Sequence, residues 1–236
     1  GRTPSISNTI ESIEFATKGN GADFGDLTAT RRNVGGFSNE TRGLIAGGST
    51  PSYVNNIDYV TIASASNATD FGDLTVARRT SNSGAGSSTR AIFSGGYNPS
   101  GYPDTIDYVT TASTGDATDF GNLTTARGYG SALSSSTRAV YAGGQDGSGD
   151  KDIIDYVTTA STGNATDFGD LTVSRANMAR LSNSTRGVFA SGYDVPGMSN
   201  VIDYITIAST GNAADFGDVI TAASTDGQSN GHGGLS

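Results

Sequence analysis

The sequence repeats the same unit five times, and this constrains the fold more than any other feature. The motif Asp-Phe-Gly-Asp-Leu recurs with only small changes, and its copies occupy residues 23–27, 70–74, 119–123, 167–171 and 215–219. A second phrase, Ser/Glu-Thr-Arg, recurs in step with it, and its arginines are Arg42, Arg90, Arg138 and Arg186. A period of about 48 residues is typical of proteins in which one supersecondary unit packs against copies of itself. The repeat therefore predicts a scaffold, and the positions where the copies differ are the candidates for function.

Composition narrows the class of protein and of ligand. The chain has 236 residues, a formal net charge of −9, no cysteine and a hydrophobic fraction of 34%. The acidic balance argues against nucleic-acid binding, which needs a basic surface for the phosphate backbone. No apolar run approaches the length of a membrane-spanning helix, so no membrane insertion is predicted. Because the apolar residues recur in register, we predict a single folded domain over residues 1–236.

Each repeat divides into four short β-like segments separated by turn residues. In one unit these are residues 79–86, 89–96, 105–113 and 117–124. The first segment is rich in Gly and Ser, which suits an innermost strand, and neither face of the third is fully polar. A sheet packed between two neighbours has this character. The pattern predicts an all-β fold: a five-bladed β-propeller with four antiparallel strands in each blade.

The two ends of the chain are expected to share the fifth, closing blade. Residues 8–28 match the two outer strands of a unit, and residues 222–236 match the two inner strands. Combining them would close the ring and leave no unpaired sheet edge. In this alignment the single histidine, His232, stands where the other copies have the arginine of the Ser/Glu-Thr-Arg phrase. One histidine without cysteine cannot assemble a typical zinc or copper ligand set, so a structural role is expected for it.

The repeat resembles the kelch motif in three features: a glycine pair after an apolar strand, an aromatic residue on the next strand, and an arginine before the next inner strand. The glycine pairs are Gly47-Gly48, Gly95-Gly96 and Gly143-Gly144, with Ser191-Gly192 in the fourth copy; the aromatic residues are Tyr59, Tyr108, Tyr156 and Tyr204; the arginines are Arg31, Arg78, Arg127 and Arg175. Phenylalanine replaces the outer-strand tryptophan of kelch repeats throughout. The resemblance implies the propeller fold and says little about a ligand.

The repeated carboxylates of the third strand are expected to be structural. They are Asp58, Asp107, Asp155 and Asp203. Each lies between apolar neighbours, so burial would require a partner, and the repeated arginines can supply one. The alternative is a ring of catalytic acids. The Asp-Phe-Gly-Asp motif could likewise be imagined as a cation site, but calcium loops carry denser oxygen ligands, so a turn capped by Asx hydrogen bonds is expected. No catalytic residue, metal or cofactor is predicted.

The variable loops are the candidate ligand-binding face. In an antiparallel four-stranded blade, the loop from the second to the third strand shares a face with the junction from the fourth strand to the next blade. These segments carry unrepeated tyrosines beside arginines. The candidate residues are Tyr53, Tyr97, Tyr102 and Tyr193 with Arg31, Arg78, Arg127 and Arg175. Aromatic, arginine and small polar residues together are typical of adaptable binding surfaces.

These features predict a non-catalytic recognition or structural module. Residues 162–172 are similar to repetitive proteins encoded by marine bacteriophages, which implies a virion or extracellular location. The expected partners are a glycan or cell-surface receptor, or neighbouring virion proteins. One alternative is an intracellular kelch-type adaptor that grips an acidic peptide with the same arginines. Another is a glycoside hydrolase, which needs two carboxylates at a defined separation. The acids available for that role are Asp104, Asp146, Asp150, Asp152 and Asp194.

Overall fold

The described part of the chain contains four sheets, each of four antiparallel strands, that follow one another along the sequence. The computed structural model describes residues 6–14, 16–223 and 227. Within these ranges the assigned elements are β-strands, and no helix is assigned. In each sheet the order of the strands in space follows their order along the chain. The predicted all-β architecture, with four antiparallel strands in each of these repeats, is confirmed.

A two-stranded hairpin precedes the sheets, and its strands are β1 (Thr9–Ser12) and β2 (Ala22–Asp26). The first sheet consists of β3 (Gly35–Ser38), β4 (Arg42–Ala46), β7 (Asn56–Thr61) and β8 (Thr69–Asp73). The second consists of β9 (Gly84–Gly86), β10 (Arg90–Ser94), β11 (Thr105–Thr110) and β12 (Thr118–Asn122). The third consists of β13 (Ser131–Ser134), β14 (Arg138–Ala142), β17 (Ile153–Thr158) and β18 (Thr166–Asp170). The fourth consists of β19 (Ala179–Ser182), β20 (Arg186–Ala190), β23 (Val201–Thr206) and β24 (Ala214–Asp218).

Small hairpins lie in the loops between the second and third strands of the sheets. Their strands are β5 (Ser49–Thr50) with β6 (Ser52–Tyr53), β15 (Gln145–Asp146) with β16 (Gly149–Asp150), and β21 (Tyr193–Asp194) with β22 (Gly197–Met198). In the second sheet the same loop closes through a bridge between Asn98 and Gly101. All four loops are therefore ordered turns rather than open connections.

In the second sheet the strands start within one residue of the prediction except at the innermost strand, and the third segment, predicted over residues 105–113, ends at Thr110. The pattern predicts a strand over residues 79–86, whereas β9 covers only Gly84–Gly86. The preceding residues do not continue this strand. Arg79 forms an isolated β-bridge with Tyr97, and Asn82 adopts a left-handed conformation with φ 58°. A residue at positive φ interrupts an extended strand, which shortens β9.

Neighbouring sheets pack through the phenylalanine of the Asp-Phe-Gly-Asp motif. Phe71, Phe120 and Phe168 are each only 2% exposed. Phe71 shares a core cluster with Val109 of the second sheet, and the other two make the equivalent contacts with the third and fourth sheets. Burying a side chain of this size stabilises the fold by roughly 1.5–3 kcal/mol. Each of the first three sheets is thus covered on this side by the next one along the chain.

The arginines of the Ser/Glu-Thr-Arg phrase tie neighbouring sheets together. Each guanidinium stacks on the third-strand tyrosine of its own sheet at 4.5–4.8 Å from the ring centre. In the first three sheets it also donates to a carbonyl of the next sheet: Arg42 to Thr111 (2.7 Å), Arg90 to Thr159 (3.0 Å) and Arg138 to Ile207 (2.9 Å). These arginines explain why the phrase keeps its spacing along the chain.

The outer flank of the fourth sheet differs from the other three. Phe216 is 56% exposed and Ile220 is fully exposed. An added Cβ at Gly217 would meet no neighbour, whereas at Gly121 it would collide with the Gly163 carbonyl of the next sheet. The inner strands expected to close the ring, within residues 222–236, lie outside the described residues apart from 222, 223 and 227, and so does His232.

Candidate functional site

The four loops and the junctions between sheets meet on one side of the molecule. Four bridges join them in pairs: Arg32 with Ser49, Arg79 with Tyr97, Gly128 with Gln145, and Ala176 with Tyr193. In each pair one residue begins a loop and the other follows the last strand of the preceding sheet. Each loop therefore lies beside the junction that precedes its sheet, and we call the surface formed by these loops and junctions the loop face.

The four arginines that the sequence placed on the binding face are buried instead. Arg31, Arg78, Arg127 and Arg175 are 0–2% exposed. Each forms an ion pair with the third-strand aspartate of the following sheet: Arg31–Asp58 at 2.7 Å, Arg78–Asp107 at 2.8 Å, Arg127–Asp155 at 2.8 Å and Arg175–Asp203 at 2.9 Å. Their assignment to the ligand-binding face is therefore corrected, because a guanidinium enclosed in this way cannot reach a ligand.

The hydrogen bonds of Arg78 and Asp107 show how such a buried ion pair is satisfied. Its Nε donates to the Gly95 carbonyl at 2.8 Å and its Nη2 to the Phe93 carbonyl at 3.1 Å. The carboxylate of Asp107 also accepts from the Thr75 hydroxyl at 2.6 Å and from the Thr75 amide at 3.2 Å. A buried charge is tolerated when it is both paired and hydrogen-bonded. The predicted structural ion pair is confirmed, and the repeated aspartates are closed to substrate.

The first and fourth pairs are less fully satisfied than the second. Arg31 Nε and Arg175 Nη1 are buried without a hydrogen-bond partner, and Arg175 Nε donates only to the sulfur of Met178. Burial lowers the pKa of Arg31 and of Arg175, while the adjacent aspartates oppose that shift. Arginine stays protonated in proteins regardless, so both guanidiniums remain charged.

Three of the four candidate tyrosines come together on the loop face with a fourth that the sequence did not single out. Ring centres lie 6.0 Å apart for Tyr53 and Tyr97, 5.1 Å for Tyr97 and Tyr102, and 6.1 Å for Tyr97 and Tyr129. Tyr102 and Tyr129 are 6.3 Å apart. We call these four residues the tyrosine patch. Rings this close touch one another, so they leave no cage between them and present a half-buried outer surface.

Tyr129 was missed because it lies in a junction rather than in a loop. It has φ 59°, in the left-handed region, and the residues at the same distance after the buried arginines of the first and fourth sheets, Asn33 and Asn177, are left-handed asparagines. The signal available in the sequence was this break from asparagine to tyrosine. Tyr193, by contrast, begins the loop of the fourth sheet and makes no ring contact with another aromatic residue among those described.

The two ends of the tyrosine patch differ in charge. At one end the guanidinium of Arg79 lies 5.0 Å from the centre of the Tyr53 ring, and its Nε donates to the Ser49 hydroxyl at 3.2 Å. At the other end the pKa of Tyr102 is raised by burial, then by Tyr129 and Tyr97, and then by Asp146 and Asp150. The patch is thus bounded by a cation on one side and carboxylates on the other.

An open groove runs beside the patch. It has a volume of about 590 Å³ and lies between the β5–β6 hairpin and the turn at residues 98–100, with Tyr53 on one wall and Val76 and Ala77 among its lining residues. A second cavity, of about 540 Å³, lies among the innermost strands and is lined largely by small and aliphatic residues such as Gly84, Ala85, Ala132 and Leu133. Of these two cavities, the groove is the one that adjoins the tyrosine patch.

Two of the acids considered for hydrolysis are already engaged. Asp146 accepts from the Ser148 amide and hydroxyl, both at 2.7 Å, and pairs with Lys151 at 3.0 Å. Although burial opposes it, these contacts lower the pKa of Asp146 to about 2. Asp150 accepts from Gln145 at 2.7 Å and from the Val195 amide at 2.9 Å. A carboxyl with so low a pKa is not a general acid near neutral pH.

The described residues contain no group of three or more His, Cys, Asp or Glu side chains that could hold a metal ion. In the Asp-Phe-Gly-Asp motif, Asp167 accepts from the amide of Gly169 at 3.2 Å and Asp215 from that of Gly217 at 3.1 Å. These are the expected Asx hydrogen bonds.

Among the described residues no helix is long and apolar enough to cross a membrane. A scan against protein-family models finds no matching family, and a search of curated proteins finds no relative.

Proposed function

We propose that the four sheets are blades of a five-bladed, kelch-like propeller and that the β1–β2 hairpin belongs to the fifth blade. The hairpin contacts the first sheet in the same way as each sheet contacts the next. Asn67 accepts from the Asp26 amide at 3.0 Å, as Asn212 does from the Asp170 amide at 3.1 Å. The exposed Phe216 on the opposite flank is the surface that a fifth blade would cover.

The fifth blade would lack the buried ion pair of the other four. Ala223 accepts from the Gly192 amide at 3.0 Å, which is the bond that Arg175 accepts from Gly144 at 2.9 Å. Ala223 therefore stands at the buried-arginine position. In the strand register Glu11 lies opposite Asp23 in the hairpin, as Asp58 lies opposite Asp70 in the first sheet. Glu11 therefore stands at the position of the repeated aspartates. The closing blade thus departs from the repeat at both charged positions.

The function we propose for this scaffold is non-catalytic recognition of a glycan through the tyrosine patch. The observation that carries it is that four tyrosines from two loops and one junction converge on one side of the molecule, beside a groove. The apolar C–H face of a pyranose packs against an aromatic ring, and phenol hydroxyls can donate to and accept from sugar hydroxyls. Tyrosine provides such contact area at low cost in conformational entropy.

We place this recognition module on a virus particle or elsewhere outside the cell. The similarity of residues 162–172 to repetitive phage proteins supports that location. Partners would then be a surface glycan or receptor, or neighbouring virion proteins. The adaptor alternative loses its main support, because the arginines that were to grip an acidic peptide are buried in ion pairs.

A glycan array tests the proposal with a matched pair of variants. Tyr97 contacts the other three rings of the patch, so Tyr97→Ala should weaken glycan binding by about tenfold or more, as expected for a central aromatic contact. Tyr193→Ala removes a tyrosine from the same face but outside the patch, and it should bind like the wild type. Equal losses in both variants would contradict a site at the patch.

Two further outcomes would favour a purely structural role or a glycoside hydrolase over glycan recognition. No glycan signal from the wild type, together with stable association with particle proteins from the native source, would leave only a structural role. Turnover on a glycan-hydrolysis panel that is lost on Asp→Asn substitution at Asp104, Asp152 or Asp194 would instead establish the hydrolase.

A further inference from the structure

The junction after each buried arginine places one residue in the left-handed region. The φ values are 59° for Asn33, 58° for Asn82, 59° for Tyr129 and 50° for Asn177. Asparagine tolerates this conformation because its short side chain can hydrogen-bond locally, whereas larger side chains are disfavoured there. Three copies of the junction follow this rule, and Tyr129 breaks it.

The backbone at this position has the same task whichever side chain it carries. The carbonyl of Tyr129 accepts from the Asn177 amide at 2.8 Å, and at the equivalent position the carbonyl of Asn33 accepts from the Thr80 amide at 3.2 Å. Both bonds join one sheet to the next. Asparagine would therefore serve the scaffold at position 129, and the difference lies in the ring that tyrosine adds to the patch.

That ring completes the patch. It stacks on Tyr97 with an angle of 26° between the ring planes and meets Tyr102 edge-on at 77°. Residues held in sparsely populated backbone conformations cluster at active sites and ligand clamps. We infer that Tyr129 is a ligand-contacting residue, kept at a cost to stability, and that with Tyr97 and Tyr102 it forms a platform for an uncharged sugar ring. This inference rests on the proposed function.

The charge around the platform favours an uncharged sugar. Asp146 and Asp150 lie close enough to Tyr102 to contribute to raising its pKa, and the chain as a whole carries a formal net charge of −9. Lys151 pairs with Asp146 at 3.0 Å, so the charge that a sugar carboxylate would meet and be repelled by at this end of the patch is that of Asp150. Arg79 lies at the opposite end, next to Tyr53.

Thermal unfolding without any ligand measures what tyrosine at position 129 costs in stability. In Tyr129→Asn, relief of the left-handed strain offsets the lost ring contacts, so Tm should stay within about 2 °C of the wild type or rise. The matched control, Asn177→Tyr, introduces the same strain at the equivalent junction without a ring partner and should lower Tm by about 2–4 °C. A fall of more than about 4 °C in Tyr129→Asn would mean that the ring is there for packing, and it would overturn the inference.

Binding is tested on an array of paired glycans that differ only in a terminal sialic acid. The wild type should prefer the uncharged member of a pair, and Tyr129→Asn should lose about tenfold or more of its binding. Tyr129→Phe should keep most of it if the ring face makes the contact. Undiminished binding by Tyr129→Asn would overturn the inference and leave the proposed function intact, whereas absence of binding by the wild type would refute the proposed function itself. Preference for the sialylated member would overturn the uncharged ligand class.

Discussion

Arg78 and Arg79 are adjacent in the chain but belong to two different regions of the molecule. Arg78 is fully buried and pairs with Asp107 at 2.8 Å. Arg79 lies partly exposed on the loop face, stacked beside Tyr53. The first arginine is present in four repeats, whereas the second has only Arg32 as a counterpart. Repetition thus marks the buried scaffold, and departure from it marks the surface on which we place recognition.

The largest effect that separates the two regions should come from breaking a buried pair. Asp107→Ala leaves the Arg78 guanidinium charged in a site without water, which should cost about 3–5 kcal/mol of unfolding free energy. Arg79→Ala, the control on the loop face, should cost about 1 kcal/mol or less. Urea unfolding at neutral pH measures both. Similar losses in the two variants would erase the distinction between scaffold and surface.

A second pair of variants asks whether the scaffold extends to the fifth copy of the repeat. Phe120→Ala opens a cavity between the second and third sheets and should cost about 3–5 kcal/mol. If a fifth blade covers the fourth sheet, Phe216→Ala should cost at least about 2 kcal/mol by the same mechanism. Urea unfolding decides between the two readings of the flank. A loss below about 0.5 kcal/mol for Phe216→Ala, as expected of an exposed residue, would contradict ring closure.

The smallest effect should be a local response of the loop face to acid. The folded-state pKa of Asp146 is lowered to about 2 from an ordinary value of 3.8. A lowered pKa means that the ionised carboxylate stabilises the β15–β16 hairpin above about pH 4. This contribution is lost as the pH falls from about 4 through about 2. NMR of the Ser148 amide should show the transition, and Asp146→Asn should abolish it; an unchanged transition in that variant would assign it to another group.

Much of the fold could be predicted because the repeat carries its own periodicity. The third and fourth strands of the second sheet, β11 and β12, begin within one residue of their predicted starts. The ion pair at Asp107 was also foreseeable, since a carboxylate between apolar residues requires a partner. The inner strand was predicted too long, because the left-handed turn at Asn82 is a local backbone choice that asparagine permits without demanding it.

The candidate site was predictable only in part. The loop face and three of its tyrosines followed from where the copies differ, but the sequence treated Tyr193 like Tyr97 and passed over Tyr129. Tyr97 meets Tyr129 across a boundary between two sheets. Such a contact depends on how far apart neighbouring sheets place their loops, and no local pattern encodes that distance.

By itself the sequence determined the number of repeats, the four-stranded unit and the need of each repeated aspartate for a partner, because these depend on residue types recurring at fixed spacing. Only the tertiary structure decided which arginine of an adjacent pair points inward and which unrepeated tyrosines touch. The physical reason is that Arg78, Arg79 and Tyr129 lie in junctions outside the strands, where the side that becomes interior is set by the neighbouring sheet. Arg78 is enclosed by that packing, Arg79 is left outside it, and Tyr129 reaches the patch through the left-handed turn that its junction imposes.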